Sequence, residues 1–298
     1  MCLPRRTSLL ATLLVLGCAT AQNRPDPEAF INGKSVMIEE SNFPKHYARF
    51  PPNDKIQHKS DVLSYYVLNE EKKVLYVPNF VNETVAHDIQ LFCIEGKRFT
   101  QSPIRGTTDD GSSVEKHDYR TSESCPLVPA AAYMSNPRFQ DMLEQDPLPP
   151  QVARVAREVD ISWDIAVRSS ELLGVNPHLV EALQVVRYTS PDAEYKLHHD
   201  HGGYYGKSSE HRSFTMLIFL NDVENAGGHT SFPKLDLEVV PRGGDALIWS
   251  NTIDSKVDKD MVHAGKPPSK AGVEKYAVNV WFGEESFENR VKEGQTWS

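Results

Sequence analysis

The chain has 298 residues, 39% hydrophobic and 24% charged, with 32 lysines and arginines against 41 aspartates and glutamates, a net charge of −9. An acidic chain lacks the basic face that phosphate recognition needs, which excludes a nucleic-acid binder, and no apolar run reaches the roughly 18 residues that span a bilayer, which excludes a multi-span membrane protein. The composition is globular, the length allows one large or two modest domains, and four cysteines are too few for a disulfide-built scaffold.

Arg5 and Arg6 precede an apolar run from Leu9 to Gly17, and Ala19-Thr20-Ala21 supplies a small-x-small cleavage pattern, so residues 1–21 read as a secretory signal peptide. Two other readings stay open. The run is short for an uncleaved anchor, and the residues before Cys18 suit a lipoprotein site poorly. Cleavage after Ala21 removes Arg5, Arg6, Cys2 and Cys18, leaving 30 basic against 41 acidic residues, a net charge of −11, with Cys93 and Cys125 as the remaining thiols. The mature chain is then expected in the oxidising secretory pathway, in the endoplasmic reticulum lumen or secreted. Two cysteines permit one bridge, Cys93 to Cys125. Alternatively Cys93 is a buried small hydrophobe, because Val85, Ile89, Phe92 and Cys93 share one helical stripe. Asn82-Glu83-Thr84 is a glycosylation sequon placed just ahead of that helix, as suits a surface turn.

Residues 22–60 are polar and proline-dotted (Arg24-Pro25-Asp26-Pro27, Phe50-Pro51-Pro52) and read as a linker or loosely packed N-terminal extension. A short β-like run, KVLYVPNFV (73–81), leads into the helix, which stops at Gly96. Residues 107–124, rich in Gly, Ser, Thr and charge, read as a long loop. Ile161, Ile165, Ser169 and Leu172 predict a second helix ending at Gly174, and Asn176-Pro177, a cap followed by proline, predicts the start of another. After Leu183 come short β-branched or aromatic runs at 184–188, 215–220, 237–240, 246–249 and 276–282, separated by Gly, Pro, Asn and Asp. Helices followed by an antiparallel strand set that closes into a barrel or jelly roll make an α+β fold. Residues 61–287 read as one catalytic domain and 288–298 as a C-terminal tail.

The chemistry concentrates in YKLHHD (195–200). On a strand, residues two apart share a face, so His198 and Asp200 point together while His199 and His201 point away. His263 precedes the last strand. Two imidazoles and one carboxylate on one face of a metal leave positions open, the ligand set of non-haem Fe(II) oxygenases. Among eleven histidines this pattern is weak by itself. In KYAVNVW (275–281), Lys275, Ala277, Asn279 and Trp281 share one face, while Tyr276, Val278 and Val280 share the other and look like core. If the first face looks into a barrel, the Lys275 ammonium needs an anionic partner, such as the carboxylate of a cosubstrate; otherwise it stays wet at the strand entrance.

These blocks, with RSFTMLIFLNDV (212–223), GGHTSFP (227–233), GDALIW (244–249), Arg120-Thr121-Ser122 and EALQVVRY (181–188), resemble the prolyl 4-hydroxylase family of Fe(II)/2-oxoglutarate dioxygenases over roughly residues 74–282. The resemblance implies a double-stranded β-helix (jelly-roll) barrel with flanking N-terminal helices, of the compact single-domain type. It implies His198, Asp200 and His263 as Fe(II) ligands and Lys275 as the partner of the distal carboxylate of 2-oxoglutarate, these four making up the catalytic set. Tyr188 and Thr230 are implied beside that cosubstrate, and Arg212, Tyr195, Glu181 and Trp281 along a peptide groove. His229 departs from the small residue usual at its position and is not taken as a ligand. The resemblance further implies dioxygen as oxidant, succinate and carbon dioxide as products of 2-oxoglutarate, L-ascorbate as reductant, and 4-hydroxylation of a proline-containing peptide or protein. It leaves the oligomeric state open.

Departures from the family pattern gather around the mouth and bear on peptide preference, leaving the iron chemistry standing. Tyr188 lies one residue further from His198 than usual. Ser190-Pro191-Asp192-Ala193 replaces a Gly-Gln element, and Ala264-Gly265-Lys266-Pro267-Pro268 stands where Cys-Pro-Val is usual. TIDSKVDKD (252–260) is lengthened, and its charges read as a solvated loop. The alternatives are the same chemistry on another side chain or a small molecule, and a non-catalytic barrel that binds peptides or a structural metal. A lysyl hydroxylase would carry arginine at 275, a non-catalytic barrel would lose one of the four catalytic residues, and a zinc hydrolase gives no reason for Lys275.

Overall fold

A computed structural model describes residues 36–37, 65–102, 105–107, 113–115, 120–144, 147–201, 212–223, 227–253 and 256–283. The expected leader at 1–21, most of the extension at 22–60 and the tail at 288–298 lie outside the described residues. The first half of the chain carries β1 (Val36–Met37), β2 (Tyr66–Asn69), β3 (Val74–Val77), α1 (Glu83–Glu95), β4 (Thr100–Gln101), β5 (Arg105–Thr107), β6 (Ser113–Glu115), β7 (Glu123–Pro126), α2 (Ala130–Met134), α3 (Pro137–Leu143) and α4 (Pro150–Leu173). The second half carries β8 (Gln184–Tyr188), β9 (Tyr195–His198), β10 (Phe214–Phe219), β11 (Thr230–Phe232), β12 (Leu237–Val239), β13 (Ala246–Ser250), β14 (Thr252–Ile253), β15 (Lys256–Val257), β16 (His263–Gly265) and β17 (Lys275–Phe282).

The strands pair antiparallel into a large sheet, β1-β2-β3-β13-β10-β17-β8-β7-β4, and a small one, β12-β11-β16-β9. From β8 onward the chain crosses repeatedly between them. β8, β10, β13 and β17 lie in the large sheet, and β9, β11, β12 and β16 in the small one, which is a double-stranded β-helix, or jelly roll. The earlier strands widen the large sheet, so residues 22–60 contribute at least an edge: Val36 and Met37 pair with Val67 and Tyr66.

The pleat of β17 divides the interior in two. Tyr276, Val278, Val280 and Phe282 pack with Ile89 and Phe92 of α1 and Ile161 and Ile165 of α4. Ala277 faces Phe219, Phe232, Leu247 and Trp249 in the space between the sheets. A sheet covered on both faces reads as continuous apolar runs, and β10 and β13 are buried at every residue for that reason.

The helices start and stop on local chemistry. Asn82 caps α1, its Oδ1 accepting from Val85 N–H at 2.9 Å, and Asn82 is exposed, so the sequon sits at a surface helix start. α4 ends at Gly174, whose φ of 65° is the left-handed conformation that glycine adopts freely, with Val175 N–H donating to Ser170 C=O at 3.0 Å. α4 begins at Pro150, ahead of the predicted apolar repeat, because its first two turns are only partly covered and need no apolar stripe. The helix predicted from Asn176-Pro177 is a single 3₁₀ turn, Pro177–Leu179. Asn176 does cap it, yet Val180 bridges to Phe282 and Glu181 N–H donates to Trp281 C=O at 2.9 Å, so the sheet claims the chain. The loop predicted at 107–124 contains β6 and the start of β7. No helix among the described residues is long and apolar enough to cross a membrane.

Cys93 and Cys125, both fully buried, form a disulfide that ties α1 to β7 across a sequence separation of 32. Closing a loop of that length restricts the unfolded chain by about 3–4 kcal/mol. The Cys93→Ala/Cys125→Ala pair is therefore expected to lower the thermal midpoint by roughly 10 °C, at about 2–4 °C per kcal/mol for a domain of this size. Calorimetry of the pair against the oxidised wild type checks this, and an unchanged midpoint would mean the loop is restrained by other means.

Candidate metal centre

β9 and β16 are neighbours in the small sheet, and their register sets His198 opposite His263. Asp200 lies in the turn after β9, not on the strand, so it joins His198 through that turn and not through the pleat expected from the sequence. Nε2 of His198 is 3.5 Å from Asp200 Oδ1, Nε2 of His263 is 3.5 Å from Asp200 Oδ2, and one ligand atom from each of the three lies within 4.8 Å of the others. Backbone carbonyls hold the other ring nitrogens: Nδ1 of His198 is 2.7 Å from Lys196 O and Nδ1 of His263 is 2.9 Å from Met261 O. A ring that donates from Nδ1 keeps the Nε2 lone pair for a metal.

The electrostatics suit a cation. Burial and the neighbouring His263 hold the His198 imidazole down at about 4, so it is neutral, the state that ligates. Burial alone would raise the Asp200 carboxyl; His263 and His198 override it and hold the group well below the usual carboxylate range. Tyr195 stacks flat on the His198 ring, with centroids 3.3 Å apart, and the Arg120 guanidinium lies over the Tyr195 ring at 4.6 Å. Burial holds the Tyr195 phenol up at about 12. Trp249 and Phe232 pack against His263 at 4.8 and 5.4 Å.

Lys275 opens β17 and lines the same cavity as the three ligands, together with Tyr188, Tyr195, Thr230 and Asn279. It is 1% exposed, so the wet alternative at the strand entrance does not hold. Burial brings its ammonium down to about 7, and no carboxylate among the described residues acts to raise it. It sits 4.7 Å over the ring of Tyr188, its register partner on β8. The site depends on glycine at 265, where a Cβ would fall 2.5 Å from the Tyr188 hydroxyl. Among the described residues, Thr230 Oγ1 has no hydrogen-bond partner and is buried. A buried ammonium and an unpaired buried hydroxyl in the cavity of a two-histidine, one-carboxylate cluster fit a dicarboxylate cosubstrate beside an Fe(II) ion.

The other groove residues expected from the sequence pack on one another, with Arg212 close enough to feel the Asp200 charge. Arg212 donates to both Glu181 oxygens at 2.9 Å, the pair is buried, and the guanidinium lies 3.7 Å from the Trp281 ring centre. Arg212 and Glu181 thus satisfy each other. Four polar residues around the site were not singled out for it from the sequence. Arg120 donates to Gln184 Oε1 at 2.9 Å, and Thr215 and Asn251 lie behind Asp200. Lone polar residues within apolar or loop-like runs carry no periodic signal.

Residues 183–283 match the sequence pattern of the 2OG-Fe(II) oxygenase superfamily. Over 245 residues the chain is 27% identical to a protein of Acanthamoeba polyphaga mimivirus that carries the name of a prolyl 4-hydroxylase, covering 79% of this chain and 84% of that one. It is 31% identical over 133 residues to prolyl 4-hydroxylase subunit alpha-1 of Gallus gallus, covering 42% of this chain and 25% of that subunit. It is 29% identical over 126 residues to prolyl 4-hydroxylase 13 of Arabidopsis thaliana, covering 36% and 44%. The chain thus spans less than half the length of these animal and plant relatives. A viral collagen prolyl hydroxylase of Paramecium Bursaria Chlorella virus-1, solved as a 2OG complex, aligns over 70% of this chain and 95% of its own with a TM-score of 0.44 and 17% identity.

Proposed function

Because this chain is a prolyl 4-hydroxylase-like, 2-oxoglutarate-dependent dioxygenase, we propose that it hydroxylates peptidyl proline at C4 in proteins of the secretory pathway. The observation that carries the reading is Lys275, a buried cation in the cavity of the His198, Asp200 and His263 cluster. Fe(II) and 2-oxoglutarate, when bound, supply an oxidative decarboxylation to succinate that drives oxygen insertion into an unactivated C–H bond. His198 and His263 present Nε2, and Asp200 its carboxylate, to the metal. Lys275 receives the distal carboxylate of the cosubstrate, and the Thr230 hydroxyl donates beside it. Tyr195 walls the site next to His198, while Trp281, buried against Arg212, backs the peptide groove from behind. L-ascorbate serves as the reductant that returns iron to Fe(II) after unproductive cycles. The expected leader, the buried disulfide and the exposed Asn82 support a secretory setting and glycosylation of Asn82.

Asp200→Ala is expected to abolish Fe(II)-dependent succinate formation, a loss beyond the roughly 100-fold of an outer-shell change, since the metal loses its one anionic ligand. Succinate release under saturating 2-oxoglutarate measures it, and wild-type turnover in this variant would remove the cluster from the chemistry. The substrate is tested by mass spectrometry of proline-rich and collagen-like peptides after incubation with the wild type. One added oxygen at proline C4 is the expected product; oxygen on lysine, or none, would favour another substrate.

A further inference from the structure

Behind the cluster, hydrogen bonds converge on one residue. Thr215 Oγ1 donates to Asp200 Oδ2 at 2.9 Å and accepts from Asn251 Nδ2 at 2.9 Å, with Thr215 and Asn251 both buried. The main-chain carbonyl of Asn251 accepts from Asp258 N–H at 3.0 Å. Asp258 caps the 3₁₀ turn Lys259–Met261, its Oδ1 accepting from Asp260 N–H at 3.0 Å, and Met261 O is the carbonyl that holds Nδ1 of His263. From outside the barrel, Lys72 in the β2–β3 turn reaches Asp258 at 3.1 Å and Asp260 at 2.9 Å.

We propose that Asn251 is the common anchor of two metal ligands, its side chain fixing Asp200 through Thr215 and its main chain fixing the turn that presents His263. Asp200 lies off the strand, so no ladder bond orients it. The Thr215 hydroxyl accepts from an amide donor, which leaves its own proton for the carboxylate. Thr215 and Asn251 stand on a rigid frame, since β13 pairs with β10 from Ala246 to Ser250 and Asn251 N–H donates to Ser213 C=O at 2.9 Å. In segment 252–260, expected to be a solvated loop, Thr252–Ile253 instead pairs with Lys256–Val257, and Asp258, held by Lys72, caps the turn Lys259–Met261. The segment's length returns the chain from Asn251 to Asp258. Asn251 and Thr215 are positioning residues, because neither lines the cavity.

The inference rests on the metal centre and is independent of proline as substrate. Anaerobic calorimetric titration of Fe(II) into the full metal-free chain tests it. Thr215→Val, which keeps the shape and removes the hydroxyl, is expected to weaken Fe(II) about 10- to 100-fold, and Thr215→Ser to restore most of that loss. Wild-type affinity in Thr215→Val, or an equal loss in Thr215→Ser, would overturn the anchor. Failure of the wild type to bind Fe(II) would instead overturn the metal centre itself, and the anchor with it. Should Thr215→Val not fold, Lys72→Met decides from the outer end. It is expected to weaken Fe(II) by about three- to fivefold, as the turn loosens without its clamp on Asp258 and Asp260, and unchanged affinity there would overturn the proposal.

Discussion

Lys275→Ala is expected to raise the 2-oxoglutarate concentration for half-maximal turnover by about 10²-fold to nearly 10⁴-fold, the factor that corresponds to about 3–5 kcal/mol for deleting one partner of a buried, paired charge. The loss should fall on cosubstrate and not on metal, because Lys275 shares the cavity with the ligands without being one of them. Fe(II) affinity in the absence of 2-oxoglutarate should stay near wild type. Parallel titrations of Fe(II) and of 2-oxoglutarate separate the two effects, and an unchanged 2-oxoglutarate requirement would take Lys275 out of the site.

The same lysine sets a pH dependence whose sign is fixed by burial. Its ammonium is held down at about 7, against an ordinary 10.5, so below about pH 7 the site is already charged and this group adds no pH dependence to binding. Above about pH 7 the empty site is neutral, and a bound carboxylate, which favours the charged form, must draw in a proton. Affinity for 2-oxoglutarate should therefore fall by up to about tenfold per unit as pH rises from 7 to 9, with proton uptake visible as a buffer-dependent heat of binding. Lys275→Met should flatten the profile. Without cosubstrate the linkage runs the other way: the unfolded chain holds the proton more tightly than the folded one between about pH 7 and 10.5, so this group makes folding less unfavourable as pH rises through that window.

Residue types announced the centre, and backbone details assembled it. His198, Asp200, His263 and Lys275 could be picked out because few chemistries ask for two imidazoles, a carboxylate and a buried cation, and the pleat of β17 told which face Lys275 shares. The small sheet was harder to read: β12 fell within the run expected at 237–240, but β11 and β16, three residues each, are too short for alternation to register. Asp200 reached the cluster through a turn although strand logic had placed it there for a different reason. Asn136-Pro137 caps α3 with the same signal as Asn176-Pro177, yet only the first continues as a helix, because the strand β17 captures Val180 and Glu181 from the second. Local capping chemistry cannot foresee a strand contributed from about a hundred residues downstream, as β-propensity and capping act before tertiary context decides.

Glu181→Gln is expected to destabilise the fold by about 3 kcal/mol and to lower the thermal midpoint by roughly 6–12 °C, because it strands the Arg212 guanidinium in a buried site. Burial works against that charge, and Glu181 is the first of the groups that restore it, through attraction and two hydrogen bonds of 2.9 Å. The consequence for activity follows from what Arg212 carries. Its guanidinium supports the face of Trp281, and Trp281 is the register partner of Thr215, which holds Asp200. Loosening the pair should therefore raise KM for the peptide through Trp281 while leaving the 2-oxoglutarate requirement, set by Lys275 at the other end of β17, near wild type. Calorimetry with peptide and 2-oxoglutarate saturation curves on the same preparation gives the three readings. A loss of stability with unchanged KM for peptide would make the ion pair a scaffold only, whereas a raised KM at wild-type stability would mean that Arg212 finds another partner in the substrate.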